Sequence, residues 1–225
     1  YPAVLESYPF LKTLQESGLN QFEWYYILVY EKETLAGIAP CFSMSYPLET
    51  TMQGKLKDLV LAVKKFFPSF LNLKALICGL PMGVQGRVGI TRRSQEVFSA
   101  VISGMERIAR DHRIPIVAFK DFATEDLDLL DALQGRGFYK FKSLPSTEMR
   151  IDFKDFEDYL MKLDRPKRAD LRRKFKKVDS QIRLDLEITH DLGDALEEAY
   201  ALFCQTESRG ETQFEKLPRE FFSNI

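Results

Sequence analysis

Residues 74–119 read KALICGLPMGVQGRVGITRRSQEVFSAVISGMERIARDHRIPIVAF, and this stretch decides the fold. Its first seven residues are apolar enough to predict a strand, and a glycine-rich loop follows from Gly79 to Gly89. Ser94 then caps a predicted helix that runs to His112 with an apolar stripe on one side. The apolar run 114–119 predicts a buried strand. Strand, loop, helix and strand in this order indicate an α/β domain.

The segments on either side extend the same pattern. Apolar spacing predicts a helix at 8–18, and aromatic and β-branched residues predict a hairpin with arms 24–30 and 35–45. Apolar residues at helical spacing also predict a helix at 55–67. Downstream we expect a short helix and two strands, at 126–133, 138–141 and 146–151. The sequence therefore predicts an α/β (α+β) domain with a mixed sheet over 1–152.

The remaining chain has a different character. Residues 153–178 predict one long helix, or a helical arm broken near Pro166, and it is strongly basic. A new strand and a new helix are expected at 184–189 and 192–206. We therefore predict a basic helical arm at 153–182 and the truncated start of a second, related domain at 183–225. The chain is expected to be a fragment of a longer protein.

Composition places the chain among soluble globular proteins. It has 45% hydrophobic and 29% charged residues and a formal net charge of -1, which argues against bulk nucleic-acid binding. Three separated cysteines and two histidines fit neither a disulfide framework nor a zinc site, so buried free thiols and no metal are expected. No apolar run reaches the roughly 20 residues that span a bilayer. We therefore expect a cytoplasmic protein, and a peripheral contact with a membrane is a further hypothesis.

The order of several motifs resembles that of one protein family. The motifs are FEDYL at 156–160, RPKRADLRRK at 165–174, FLKTLQESG at 10–18, LAGIAP at 35–40, YALFCQT at 200–206 and FEKLPREFF at 214–222. They resemble the FemAB-like and cellulose-biosynthesis-associated acyltransferases, in which an arm joins two GNAT-like domains. The resemblance implies an acyl-CoA N-acyltransferase (GNAT-like) fold, with acyl-CoA as co-substrate and an amine as acceptor.

The resemblance also implies a site for the coenzyme A pyrophosphate in the loop before the capped helix. Glycines let the backbone approach phosphate, and a helix N-terminus and arginines supply positive charge. The residues expected to bind it are Gly83, Gln85, Gly86, Arg87, Gly89, Arg92, Arg93 and Ser94. The family's glycine spacing is not reproduced here, so a glycine-rich surface turn is the alternative interpretation.

Two residues are candidates for catalysis. Glu148 lies on a late predicted strand, where GNAT-like folds open toward the acceptor. Leu133 stands where the family has a tyrosine general acid, and leucine cannot reprotonate a thiolate; Tyr139 is the nearby substitute. Further conceivable general bases are Glu16, Glu23 and Glu49, each with an alternative role as a solvated carboxylate.

The basic arm supplies a second candidate site. Helical spacing brings four cations toward one face: Arg165, Arg168, Arg172 and Lys176. Three interpretations are open. The cations form a solvated helix face without a ligand, or they contact phosphates of a tRNA, a nucleotide-linked precursor or coenzyme A. In the third interpretation they attract the arm to anionic lipid. Residues 60–67 are compatible with a peripheral membrane contact or with a core helix.

The leading hypothesis is an N-acyltransferase that transfers an acyl or aminoacyl group to an amine of a cell-envelope or polysaccharide precursor. The alternative is a catalytically silent GNAT-fold module that binds an anionic ligand or a partner protein. An RNA-binding role of the arm is a third hypothesis.

Overall fold

A computed structural model of the chain describes residues 7–47, 54–68, 70–83, 85–92, 94–142, 147, 149–183, 185–210 and 216–224. The protein is a mixed α/β structure with one mixed sheet. The described residues fall into two compact units, residues 1–143 with 192–225 and residues 144–191. The predicted domain bounds at 152 and 182 stay predictions.

The first unit contains the sheet and most of the helices. In chain order its elements are α1 Tyr8–Glu16, β1 Phe22–Glu31, β2 Thr34–Pro47, α2 Lys55–Lys64, β3 Asn72–Cys78, β4 Gly89–Ile90, α3 Gln95–Asp111, β5 Ile116–Phe119, α4 Leu127–Leu130, α7 Leu196–Glu207 and α8 Arg219–Asn224. Short 3-10 turns flank α4 and precede α7. The predicted hairpin, the helix capped by Ser94 and the short helix near 127 are confirmed.

The sheet has the strand order β1-β2-β3-β5. Strands β1, β2 and β3 are antiparallel neighbours, and β5 lies parallel to β3. The two-residue β4 lies at the end of the glycine-rich loop and pairs with Gly37 and Ile38 of β2. Strand β4 therefore pairs with the part of β2 that lies beyond the carboxyl end of β3.

Alternating side chains give the sheet two apolar faces, because neighbouring residues of a strand point to opposite sides. On one face Ala39, Cys41 and Leu76 pack with Val101 and Met105 of α3. On the other face Phe22 and Phe42 pack with Leu14 of α1 and Phe221 of α8. The sheet is thus covered by α3 on one side and by α1 and α8 on the other.

The second unit contains the basic arm, α5 Phe156–Lys162 and α6 Arg165–Gln181. The predicted break near Pro166 is confirmed: Pro166 lies in the first turn of α6, and the Asp164 carboxylate caps that helix by accepting from the Lys167 amide at 3.0 Å. Phe156 and Phe175 join the two helices with ring centroids 5.1 Å apart.

Three predicted strands are not formed in the described residues. At 138–141 the chain is irregular, and Tyr139 and Phe141 are strongly exposed. Residues 149–151 and 185–189 are also irregular, while 143–146, 148 and 184 lie outside the described residues. Alternating apolar residues form a strand only where a neighbouring strand accepts their backbone hydrogen bonds, and no such neighbour occurs in the described part of the chain.

The cysteine prediction is confirmed for two of three positions. Cys41 and Cys78 are free, buried and directly opposite each other on β2 and β3, whereas Cys204 is only partly buried. The interaction with Cys41 and burial raise the pKa of the Cys78 thiol well above its usual value, which disfavours the thiolate, the reactive form.

Candidate functional site

The glycine loop lies at the carboxyl ends of the two parallel strands. After β3 the Gly79 amide donates to the Pro40 carbonyl of β2, and after β5 the Lys120 amide donates to the Cys78 carbonyl, both at 3.1 Å. The loop then returns, and the Gly86 amide donates to the Asp121 carbonyl at 2.9 Å. The carboxyl edge of parallel strands is where open α/β sheets bind ligands.

Two glycines make this loop path available. Gly79 has a φ of +130°, which L side chains rarely adopt. At Gly86 a Cβ would overlap the Lys120 carbonyl oxygen and lie 2.9 Å from carbons of the Phe122 ring. The close approach of Gly86 is therefore made to the protein's own strand end.

The other two predicted glycines have local contacts of their own. The Gly83 carbonyl accepts from Lys120 Nζ at 3.3 Å, and Lys120 also pairs with Asp121 at 2.6 Å. Gly89 belongs to β4, where a Cβ would lie 2.8 Å from a methyl carbon of Ile38. Both positions hold the loop against the sheet.

An open groove of about 390 Å³ lies beside the loop. Its lining includes Gln85 and Arg87 from the loop and Phe122, Glu125 and Asp126 from the segment after β5. Arg87 donates from Nη2 to Oε1 of Gln85 at 2.7 Å. The groove thus combines a guanidinium, two carboxylates and an aromatic wall.

Gln85 and Arg87 were predicted from the sequence, whereas the acidic side of the groove was not. Glu125 and Asp126 lie in the short 3-10 turn that begins five residues after β5, and only the pairing of β5 with β3 brings them opposite the glycine loop. Their position a few residues after the predicted strand was the available signal. The prediction that this strand is buried is wrong: Ile116 is exposed and the rest of β5 is only partly buried, because β5 is the last strand in the order of the described sheet.

The amino end of α3 is already occupied by the protein's own groups. Ser94 Oγ accepts from the Val97 amide at 3.3 Å and donates to Glu96 Oε2 at 2.7 Å. The hydrogen bond from Ser94, a backbone hydrogen bond and the charge of Arg92 lower the pKa of Glu96. An anion at this helix end would have to displace the Glu96 carboxylate. Arg93 lies outside the described residues.

None of the candidate catalytic residues that the structure describes lines the groove. Glu148 lies outside the described residues, and Tyr139 is 83% exposed on the irregular segment after Phe138. Leu133 packs beside Phe98 and Leu129 in an apolar cluster. Glu16 forms an ion pair with Lys12 at 3.7 Å on the exposed side of α1.

Three of the four predicted arm cations lie together. Arg165, Arg168 and Arg172 line a shallow depression of about 310 Å³ on α6. Arg172 forms an ion pair with Glu157 at 2.7 Å, and Arg168 Nη1 donates to the Met161 carbonyl at 3.4 Å. Lys176 does not line this depression.

A polar cluster at the opposite end of the sheet joins three strands. Oε2 of Glu23 on β1 accepts from Tyr25 and from the buried Ser43 hydroxyl of β2, each at 3.0 Å, and from Lys74 Nζ of β3 at 2.9 Å. The hydrogen bonds from Lys74, Tyr25 and Ser43 lower the pKa of Glu23 from 4.5 to about 2. Such a carboxylate is a poor general base at neutral pH, and it ties the strands together.

Glu23 makes stability depend on pH in a defined direction. Because its folded-state pKa lies below its unfolded value, its contribution is complete above pH 4.5 and is lost as the pH falls toward 2. We expect Glu23→Gln to lower the free energy of unfolding by about 1 kcal/mol at pH 7, a value reduced by solvent screening of this exposed side chain. Chemical unfolding at pH 7, 4 and 2.5 measures this, with Glu33→Gln in the exposed β1–β2 turn as control. A difference between wild type and Glu23→Gln that stays constant across these pH values would contradict the prediction.

Two further kinds of feature are absent from the described ranges. There, no group of three histidine, cysteine or acidic side chains is placed to hold a metal ion. Among the helices that the structure describes, none combines the length and apolar character needed to cross a membrane.

Comparisons with known proteins give distant similarities. No family model matches the chain. Proteins of two Mycobacterium tuberculosis strains, CDC 1551 / Oshkosh and ATCC 25618 / H37Rv, both named "Putative 8-amino-7-oxononanoate synthase 2", are 24% identical over 226 aligned positions. The match covers 96% of this chain, which spans only 28% of the length of these relatives. The solved structure of TTHA1254 from Thermus thermophilus matches with a TM-score of 0.35 and 17% identity, over 64% of this chain and 79% of that one.

Proposed function

We propose that the protein is an N-acyltransferase of the GNAT-like class, with an acyl-CoA as donor and an amine of a cell-envelope or polysaccharide precursor as acceptor. One observation carries the proposal. The loop with Gln85 and Arg87 runs from the carboxyl end of β3 to the amino end of α3 and lies beside the end of parallel β5. The family resemblance places the coenzyme A pyrophosphate in the corresponding loop.

The charges of the loop suit an anionic donor. Arg87 donates to the neutral Gln85, and a pyrophosphate offers its guanidinium a stronger, charge-assisted hydrogen bond. The carboxylates of Glu125 and Asp126 line the same groove, so the pyrophosphate has to bind on the Arg87 side of it. Arg92 lies close enough to α3 to influence Glu96. In this proposal the rate enhancement comes from positioning the donor and acceptor and from backbone N–H groups that polarise the reacting carbonyl.

The name of the mycobacterial relatives does not extend the proposal. This chain spans only 28% of the length of those proteins, so the synthase activity in their name is not assigned to it. The proposal rests on the loop, the groove and the motifs quoted from the sequence.

The donor site is tested by thermal unfolding with and without coenzyme A and acyl-CoAs. A ligand at 100 times its Kd stabilises the native state by about 2.7 kcal/mol, so we expect the midpoint to rise by about 5–10 °C. Arg87→Ala is expected to remove most of this rise, because it deletes the guanidinium in the groove. Arg107→Ala, an exposed arginine on α3, is the matched control. Absence of a shift with every ligand, or an equal shift in Arg87→Ala, would refute the donor site.

A specific observation favours the catalytically silent module as the second candidate. The position of the expected tyrosine is Leu133, which packs in an apolar cluster, and Tyr139 is exposed to solvent. Release of free coenzyme A thiol from acyl-CoA in the presence of amines separates the two candidates. Binding with turnover supports the transferase, whereas binding without turnover supports the silent module.

A further inference from the structure

The helix α2 and the turn after it carry an exposed apolar patch. Its aromatic members follow the helix end: Phe66 is 81% exposed, Phe67 68% and Phe70 43%. Leu59 and Leu61 of α2 are also exposed, at 62% and 42%. Three phenylalanines are therefore exposed within five residues, and soluble surfaces rarely display apolar side chains so close together without a binding role.

The patch is held in an ordered turn. Val60 faces inward at 4% exposure, so one side of α2 is already used for packing. The amides of Phe66 and Phe67 both donate to the Val63 carbonyl at 3.0 Å, and the Phe70 amide donates to the Phe67 carbonyl at 2.9 Å. These hydrogen bonds already order the backbone of the turn, so binding through the aromatic side chains costs little additional conformational entropy.

The charges around the patch are mainly positive. The sequence from 55 to 70 contains one acidic residue, Asp58, and four lysines: Lys55, Lys57, Lys64 and Lys65. Lys64 Nζ donates to Asn72 Oδ1 at 2.5 Å, which ties the end of α2 to the start of β3, and Lys65 is exposed beside Phe66. Lysines are depleted from protein–protein interface cores, whereas lysine beside phenylalanine and leucine is typical of segments that lie in a lipid interface.

We propose that α2 and the turn carrying Phe66, Phe67 and Phe70 dock on the surface of an anionic lipid bilayer. The aromatic rings enter the boundary between headgroups and acyl chains, and the exposed Lys55 and Lys65 contact lipid phosphates. The inference goes beyond the proposed function and does not depend on it.

The topology leaves the groove accessible in this arrangement. The α2 segment is inserted between Pro47 of β2 and Asn72 of β3, which are paired at one end of the sheet. The glycine loop follows Cys78 at the other end of β3. A membrane contact through α2 therefore leaves the glycine loop uncovered.

Co-sedimentation with vesicles tests the inference, using phosphatidylcholine vesicles with and without phosphatidylglycerol. We expect the chain to bind the vesicles that contain phosphatidylglycerol and to bind more weakly as salt increases. Phe66→Ala with Phe67→Ala is expected to reduce partitioning by about tenfold or more, because two exposed rings no longer enter the interface. The matched control is Tyr139→Ala with Phe141→Ala, which removes two equally exposed rings elsewhere and is expected to leave partitioning unchanged.

Several outcomes would overturn the inference. One is that the chain does not bind the anionic vesicles. Another is that both double variants lose vesicle binding to the same extent. A third is that vesicle binding falls only when Lys176 and Lys177 of α6 are changed to glutamate. Self-association of the chain without vesicle binding, abolished in the Phe66→Ala, Phe67→Ala variant, would assign the patch to contact between copies. Loss of RNA-oligonucleotide binding in that variant, again without vesicle binding, would assign it to RNA. Unchanged thermal midpoints are expected for both variants, since all four rings are exposed, and exclude misfolding as the cause.

Discussion

Phe98→Ala is expected to lower the free energy of unfolding by about 3–5 kcal/mol and the thermal midpoint by about 10 °C. Phe98 is 0% exposed on α3 and packs with Phe119 and Phe122, at ring-centroid distances of 5.4 and 6.5 Å. Its removal leaves a cavity where α3, β5 and the segment after β5 meet. Because Phe122 and Leu129 also line the groove, the proposed binding of coenzyme A is expected to weaken in the same variant.

Two substitutions serve as controls for Phe98→Ala. Phe98→Leu keeps most of the apolar volume and is expected to cost clearly less than alanine. Phe141→Ala removes a ring that is 87% exposed and is expected to change the free energy of unfolding by no more than about 0.5 kcal/mol. Denaturant unfolding of the three variants measures these differences. Similar losses for Phe98→Ala and Phe141→Ala would contradict the packing of α3 on β5.

Gly86→Ala is expected to lower the free energy of unfolding by about 2–3 kcal/mol and to abolish the proposed binding of coenzyme A at the loop. The added Cβ meets the backbone carbonyl oxygen of Lys120, which cannot move aside as a side chain can. The loop must therefore shift away from β5, and the hydrogen bond from the Gly86 amide to the Asp121 carbonyl is lost. Gln85 and Arg87 move with it.

Gly83→Ala is the matched substitution in the same loop. Its Cβ would lie 3.0 Å from Cβ of Leu80 and 3.6 Å from the Leu80 carbonyl oxygen, a tight contact without overlap. We expect a loss below about 1 kcal/mol and retained coenzyme A binding. Thermal unfolding with and without coenzyme A measures both properties. Equal behaviour of the two alanine variants would show that Gly86 does not seat the loop on β5.

Local chemistry made several elements predictable. The Ser94 hydroxyl and the apolar stripe from Val97 to Met105 identify α3, because a cap and a 3.6-residue period are contained in the sequence itself. Pro166 likewise identifies the break between α5 and α6, since proline favours the first helical turn. The aromatic β1 and the apolar β2 follow from the same kind of local signal.

The predicted strands near Tyr139, Ile151 and Ile188 show the limit of such signals. The segment near Tyr139 is rich in aromatic residues and the other two alternate apolar and polar residues, yet the described residues there are irregular and these side chains are exposed. A strand depends on hydrogen bonds from a neighbour that the alternation does not supply. Helices depend less on such partners because their backbone hydrogen bonds are internal.

The candidate site divides in the same way. The sequence by itself determined that a glycine-rich loop with Gln85 and Arg87 precedes a capped helix, because residue type and spacing express backbone freedom, charge and capping. Only the tertiary structure decided that Gly86 approaches Lys120, that Glu125 and Asp126 face the loop, and that Phe66 and Phe67 remain exposed. The physical reason is that these facts depend on the parallel pairing of β3 with β5 and on packing between residues far apart in the chain, which no local pattern encodes.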